Sequence, residues 1–398
     1  MKLKRLAPFA SPALTFVLAI GVVNLFGDVT YEGGASINGP FLASLGASAA
    51  AISIIAGLGE FLGYSLRSVS GYLADRTGRY WLITFVGYAI NLLAVPAMAL
   101  TGNWWAAAAL ILAERIGRAI RKPTVEAMLS YTTGKLGKGW VYGINTALDE
   151  TGAMLGPLAL TLALVRGASY RVGYELLLGS VALALIALVV ARIRFPLPSR
   201  LEQGRTTSGR KFSTAYWLYM VAGACFAAGV MSFEFVSFHL AKVHIVRDQW
   251  IPLLLATGTA ASIVASLVLG RLYDRVGLPA VLLAVFLTAA FSPLVFLGHF
   301  FAVLVGIALW GVGYAMQDTL LKAIIAGVMP EGRRNFAFGL YYIGYGGGWL
   351  VGSVTVGLLY ERSLPAMIAF AVAMPLLSMP LFILAERSRR RNAAHRHT

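Results

Sequence analysis

Apolar runs long enough to cross a lipid bilayer recur twelve times in this chain, and that recurrence narrows its fold more than any other feature. Spanning a hydrocarbon layer takes about 20 predominantly apolar residues at a helical rise of about 1.5 Å each. Such runs lie at 12–34, 48–71, 80–101, 104–130, 139–165, 172–191, 214–240, 250–270, 279–298, 300–327, 336–359 and 365–385, parted by short polar breaks. Several exceed the minimum, which implies tilt or extension beyond the bilayer. With only 13% charged residues, 43 glycines and a mean hydropathy of +0.75 over 398 residues, the chain lies well outside the composition of soluble globular domains. The expectation is an all-α integral membrane protein with twelve transmembrane helices.

Charge placement sets the orientation. The formal net charge of +16 would by itself suit a nucleic-acid partner. Of the 33 Lys and Arg, however, only Arg166, Arg171, Lys242, Arg247 and Arg362 fall on one side of a twelve-span topology, and Arg67, Arg115 and Lys322 fall within spans. The rest crowd the other side, including Arg118, Arg121 and Lys122 at the inner end of the fourth span. This is the positive-inside signal: both termini are expected in the cytoplasm and the chain in the plasma (inner) membrane, in contact with the lipid bilayer and with no nucleic acid. The basic stretches RIRFPLPSRLEQGRTTSGRK (192–211) and RSRRR (387–391) are read as topological determinants. MKLKR ahead of the first run resembles a signal peptide without a convincing cleavage site, so an uncleaved first helix is expected. Cys225 is the sole cysteine, which rules out an intramolecular disulfide and a cysteine-based metal cluster.

The longest polar break separates six spans from six, and the halves match. Gly71, Asp75, Arg76 and Gly78 meet Gly270, Asp274, Arg275 and Gly277 at an offset of 199, and Gly143 and Gly156 meet Gly339 and Gly352 at an offset of 196. One polar patch at one place in each half points to parallel repeats. The expected organisation is a six-helix bundle over 1–191, a cytoplasmic linker over 192–213, a second six-helix bundle over 214–386 and a basic tail over 387–398.

The patch GYLADRTGRYW (71–81) resembles the loop between the second and third helices of the major facilitator superfamily, whose pattern is approximately G-x-L-A-D-R-x-G-R-[RK]. Gly71, Leu73, Ala74, Asp75, Arg76, Gly78 and Arg79 match, and Tyr80 stands where a final base is usual. The resemblance implies two pseudo-symmetric six-helix bundles and a cytoplasmic gate formed by Gly71, Asp75, Arg76, Gly78, Arg79, Asp274 and Arg275. Glycines permit close approach, an acid suits a helix N-terminus, and arginines pair with carboxylates across the halves. A simple positive turn is the competing reading. GAMLGP (152–157) is similar to the fifth-helix G-x-x-x-G-P of antiporters, with Ala159 and Leu160 in place of later glycines; small-residue packing gives the same spacing. ERIGRAIRKP (114–123) resembles the fourth-helix arginine motif, with Arg115 in the leading place and Arg118 and Ala119 departing from it.

Ionisable groups at membrane depth cost several kcal/mol unless paired or wet, so each is a candidate for function. The first span carries Asn24, Asp28 and Glu32 at i, i+4 and i+8 on one face. Two carboxylates one turn apart repel, which favours a proton on one of them and offers a basis for proton coupling; Glu32 at the outer rim is the alternative. Glu60 with Arg67 and Glu114 with Arg118 have spacings that permit structural pairing. Asp149 and Glu150 point about 100° apart, so at most one is expected to face a pathway. Asp318 and Lys322 align with Lys122 and Glu126 in the first half, a pair of reversed sign, and suit a gating or structural ion pair.

In the superfamily that the chain resembles, helices one, four, seven and ten line the central cavity. That promotes Asp28, Glu32, Arg115, Glu234 and Asp318, with Asn24 and Asp149 nearby. Phe233, Phe235 and Phe238 flank Glu234, and Tyr341, Tyr342, Tyr345 and Trp349 lie along the eleventh span; aromatic faces beside acids suit a cationic or amphiphilic solute, while packing is the commoner role for any one ring. HExxH and GxSxG are absent from the sequence, and no enzyme activity is expected. The reading is a monomeric secondary transporter without cofactor or resident metal, exchanging protons for a small molecule in the manner of drug/proton antiporters. The alternatives are a metal-cation exporter using Asp28, Glu32, Glu234 and His239, or a proton symporter of a small metabolite.

Overall fold

The structure, a computed structural model, describes residues 11–130, 132, 138–196, 212–328 and 334–394, and it contains no strand among them. Twelve helical rods follow one another: α1 Pro12–Ser44, α2 Ala49–Thr77, α3 Tyr80–Leu100, α4 Trp104–Ser130, α5 Lys138–Val165, α6 Tyr170–Arg194, α7 Thr214–Val243, α8 Ile251–Val276, α9 Leu278–Leu297, α10 Phe300–Val328, α11 Arg334–Arg362 and α12 Leu364–Ala394. Ten of them are long and apolar enough to cross a membrane, judged on the described residues. The other two are as long, but α4 carries Glu114, Arg115, Arg118, Arg121, Lys122 and Glu126, and α11 is rich in Gly and Tyr. Much of 192–213 lies outside the described residues, and the basic stretch after Glu386 continues α12 as helix to Ala394.

Local chemistry sets the ends and breaks of these rods. Ser11, Ser48 and Ser213 cap α1, α2 and α7 with their side-chain oxygens. Gly78, at φ 65°, ends α2 in the left-handed region that glycine adopts without strain. Helix α7 is interrupted between Gly229 and Phe233, and Trp310 donates its indole N–H to the freed Met231 carbonyl at 2.8 Å. In α10 a π-helical turn, Met316–Leu321, lies mid-rod and presents Asp318.

The two halves are built on the same seam. A side chain at Gly152 or Gly156 of α5 would strike the backbone of α1 at Leu25 or Val29, and one at Gly348 or Gly352 of α11 would strike α7 at Ala224 or Ala228. The glycines are related by the offset of 196 and their targets by the offset of 199 seen in the sequence. The spacing in GAMLGP therefore serves close helix packing. The architecture is two pseudo-symmetric six-helix bundles, α1–α6 and α7–α12, meeting along α2 and α11, α5 and α8, and α1 and α7.

One end of this interface is shut. Gly39 of α1 lies so close to α7 that a side chain there would hit the Glu234 carbonyl and Ser237. Ser53 Oγ donates to the Ser353 carbonyl at 2.6 Å, Glu361 Oε1 accepts the Ala50 N–H at 3.0 Å, and Tyr170 donates to Asp248 at 3.1 Å. Toward the other end, which carries most of the Lys and Arg, α2 and α11 stay packed, with Gly339 against Ser68 and the Tyr64 and Tyr342 rings stacked.

Candidate substrate cavity

A cavity of about 490 Å³ lies between the halves. It is lined from α1 by Asp28, Tyr31 and Glu32, from α2 by Glu60, Tyr64 and Arg67, and from α4 by Arg115, Arg118 and Lys122. Helix α5 adds Asp149 and Glu150, α7 adds Phe233 and Glu234, and α10 adds Trp310, Tyr314, Gln317, Asp318 and Lys322. Near the basic end the side chains of Asp318 and Lys322 are 53% and 42% exposed, so the cavity is open there.

Its innermost charged group is a fork. The Arg115 guanidinium reaches Glu60 of its own half at 2.8 Å and Glu234 of the other half at 2.7 Å, with Glu114 at 3.6 Å from Nε. All four residues are largely withdrawn from solvent, where a charge pair is strong and a stranded charge costly. Sequence spacing suggests Glu60–Arg67 and Glu114–Arg118 pairs; the structure replaces both. Glu60 and Glu114 turn to Arg115, because the fork offers each a buried cation. Arg118 rests on the Tyr31 ring at 3.9 Å, and Arg67 lies over Tyr64 at 4.8 Å.

A second cation organises the first half from within. Arg121 lies 3.4 Å from Asp28 and donates to Asn91 at 3.1 Å, to the Tyr88 hydroxyl at 3.1 Å and to Asn24 at 3.4 Å. Asn91 donates to Glu114 at 2.6 Å; Asn24 accepts from Tyr88 and donates to Asn145 at 2.8 Å, and Asn145 donates to Asp149 at 3.2 Å. A polar chain thus runs from Asp149 on the cavity wall to Glu114 beside the fork. Sequence reasoning places Arg121 among the topogenic charges at the inner membrane face. Its position one and two helical turns beyond Arg118 and Arg115, at i+3 and i+6, is the signal that it belongs with them.

The structure brings Asp28, Glu32, Arg115, Glu234, Asp149 and Asp318 to one cavity. Asp28 and Glu32 do not face each other alone, because Arg121 sits against Asp28. Both Asp149 and Glu150 line the cavity, against the expectation of at most one, since the space extends between α5 and α8, where Ser262 and Ser266 also line it. Asp318 pairs with Lys322 at 2.8 Å within α10. Asn24 is buried in the polar chain behind the wall. Tyr345 is buried in packing with Tyr341 and Trp349 and does not itself line the cavity; it touches two residues that do, donating to Gln317 at 2.9 Å and meeting the Tyr64 ring edge to face. Phe235 and Phe238 pack with Tyr360, and only Phe233 of that trio lines the cavity.

His239 bonds Tyr360 through Nδ1 at 2.9 Å and packs at a tilt against Phe296, and no group of three or more His, Cys, Asp or Glu among the described residues is arranged to hold a metal ion. At the basic end Arg76, Gly78, Arg79, Asp274 and Arg275 are exposed, and none of these charged residues forms an ion pair among the described residues. A side chain at Gly71 would meet Pro123 of α4, and the Asp75 side chain lies outside the described residues.

Comparison with known proteins bears on this arrangement. Residues 247–398 match the family model of the Major Facilitator Superfamily. The chain is 32% identical over 381 residues to an uncharacterized protein of Mycobacterium tuberculosis, Rv2265, covering 92% of this chain and 93% of that one. It is 25% identical over 358 residues to an uncharacterized MFS-type transporter of Methanocaldococcus jannaschii, MJ1317, covering 87% and 89%. In fold it is similar to the crystal structure of the peptide transporter POT in complex with sulfate, with a TM-score of 0.76 at 14% identity, covering 97% of this chain and 96% of that one.

Proposed function

We propose, from the premise that this chain belongs to the major facilitator superfamily and is a multi-pass membrane transporter of that type, that it works as a monomeric, proton-coupled exporter of a small organic solute bearing a cationic group. The observation that carries the reading is the Arg115 fork, whose two carboxylates come from opposite halves. A proton on Glu234 removes the bridge that crosses the shut end. Arg115 then keeps Glu60, so the halves separate without stranding a buried charge, which would cost about 3–5 kcal/mol. The fork is thereby a two-state element that a proton biases, which is the requirement for coupling ion movement to alternating access.

Glu32, Asp149 and Glu150 line the cavity without an ion pair among the described residues, and supply the negative field for a cationic group. Tyr31, Phe233, Trp310 and Tyr314 add aromatic faces for its apolar part. The Lys and Arg bias supports a cytoplasmic basic end with both termini on that side. The opening of the cavity there supports loading from the cytoplasm, and export as the direction. Once the shut end opens, protons from that side compete with the solute's cationic group for the acids and discharge it there.

The test is purified protein in proteoliposomes under an imposed pH gradient, with a panel of aromatic amines. Amine movement driven by the gradient in the wild type and lost in Glu234→Gln is expected; amine flux indifferent to the gradient would overturn the reading.

A further inference from the structure

Three cations in this cavity are left over from the pairings above. Arg67 of α2 and Arg118 and Lys122 of α4 all line it, and none forms an ion pair among the described residues. The Nε atoms of Arg67 and Arg118 are buried and have no acceptor among the described residues. Each guanidinium is instead positioned by rings: Arg118 over Tyr31 at 3.9 Å, and Arg67 over Tyr64 at 4.8 Å and Tyr342 at 5.7 Å. A ring holds a guanidinium through its face and leaves the in-plane N–H donors unused.

Carboxylates line the same cavity, so the lack of pairing follows from placement. Glu32, Asp149 and Glu150 stand on α1 and α5, which pack together, while the three cations stand on α2 and α4, which also pack together. The first half thus presents an acidic wall and a basic wall. Cations this withdrawn are costly without an anion, and the planar donor fork of arginine matches a carboxylate or phosphate in two-point contact.

We infer that the transported solute is dipolar: an anionic group, carboxylate or phosphoryl, seats on Arg67, Arg118 and Lys122 while its cationic group faces Glu32, Asp149 and Glu150. The cationic half of this assignment rests on the function proposed above; the anion seat does not.

Binding to the purified full chain in detergent separates the two, using quenching of the cavity residue Trp310 or calorimetry. The probes share a phenyl ring and differ in charge: phenethylamine, 3-phenylpropionate, phenyl phosphate and phenylalanine. Both anions are expected to bind at millimolar concentration, and to weaken at least about tenfold in Arg118→Gln and in Lys122→Gln. Phenylalanine is expected to bind more tightly than either singly charged analogue of its size, and phenethylamine to be indifferent to those two variants and weakened by Glu150→Gln. Unchanged melting temperatures of the unliganded variants show that they fold, and Arg118→Lys, which keeps the charge and loses the fork, should retain part of the anion affinity. No binding of either anion to the wild type, or anion affinity untouched in both glutamine variants, overturns the anion seat even if phenethylamine binds. Anion binding without phenethylamine binding preserves the seat and overturns the dipolar assignment together with the cationic reading of the function.

Discussion

The α1–α5 seam and the α7–α11 seam use the same device, a pair of glycines four residues apart pressed onto the backbone of the neighbouring helix, yet the cavity walls they support are chemically unlike. The first half brings Asp28, Glu32, Glu60, Arg67, Arg115, Arg118, Lys122, Asp149 and Glu150 to the cavity; the second brings Glu234, Asp318 and Lys322 among mostly aromatic and small polar residues. Repeats hold their sequence where backbone contact tolerates only glycine, and diverge where side chains face water and ligand. On this account the first half holds the ligand chemistry, and the second contributes a clamp through Glu234.

If the seams are equivalent, Gly152→Val and Gly348→Val should be equally severe, each abolishing folded, monodisperse protein on size-exclusion chromatography, because a backbone carbonyl cannot move aside as a flexible side chain can. Tolerance of one and not the other would break the equivalence. The next effect separates the halves. Arg115→Gln leaves Glu60 and Glu234 buried without their cation, a loss of about 3–5 kcal/mol from the shut state and of gradient-driven flux. Lys322→Gln removes one partner of an exposed pair and should cost at most about 1 kcal/mol in thermal stability, with flux reduced only a few-fold. Equal losses from these two variants would show that the second half shares the chemistry. The smallest effect is expected at the rim: Glu361→Gln weakens the cap that α11 places on the Ala50 N–H in the first turn of α2, costing about 0.5–1 kcal/mol and tilting the equilibrium slightly towards opening of the shut end.

Much of this architecture is legible in the chain because membranes impose long apolar helices, and because the repeat leaves glycines and loop charges at constant offsets. The cavity acids are legible for the same reason, since a carboxylate at that depth needs explanation. The partners are not. Spacing along one helix suggests local pairs such as Glu60–Arg67, but the buried cations choose acids from other helices, and which helices meet is decided by tertiary packing. Arg121 is misplaced by its closeness to the membrane boundary, where a topogenic charge and a buried one look alike. Tyr345 is misplaced for a related reason: the eleventh span shows its tyrosines but not that Tyr345 turns towards Gln317 and the packed core.

The central claim is that the ionised Glu234 keeps one end shut and that a proton releases it. In a Cys225→Ser background, spin labels at Gly102→Cys and His299→Cys report the separation of the halves at that end, since both positions lie in exposed connections on opposite halves. The account predicts that the distance lengthens from alkaline to acidic pH in otherwise wild-type protein, and that it is long at both pH values in Glu234→Gln. A wild-type distance indifferent to pH, or a pH response that survives in Glu234→Gln, would contradict it.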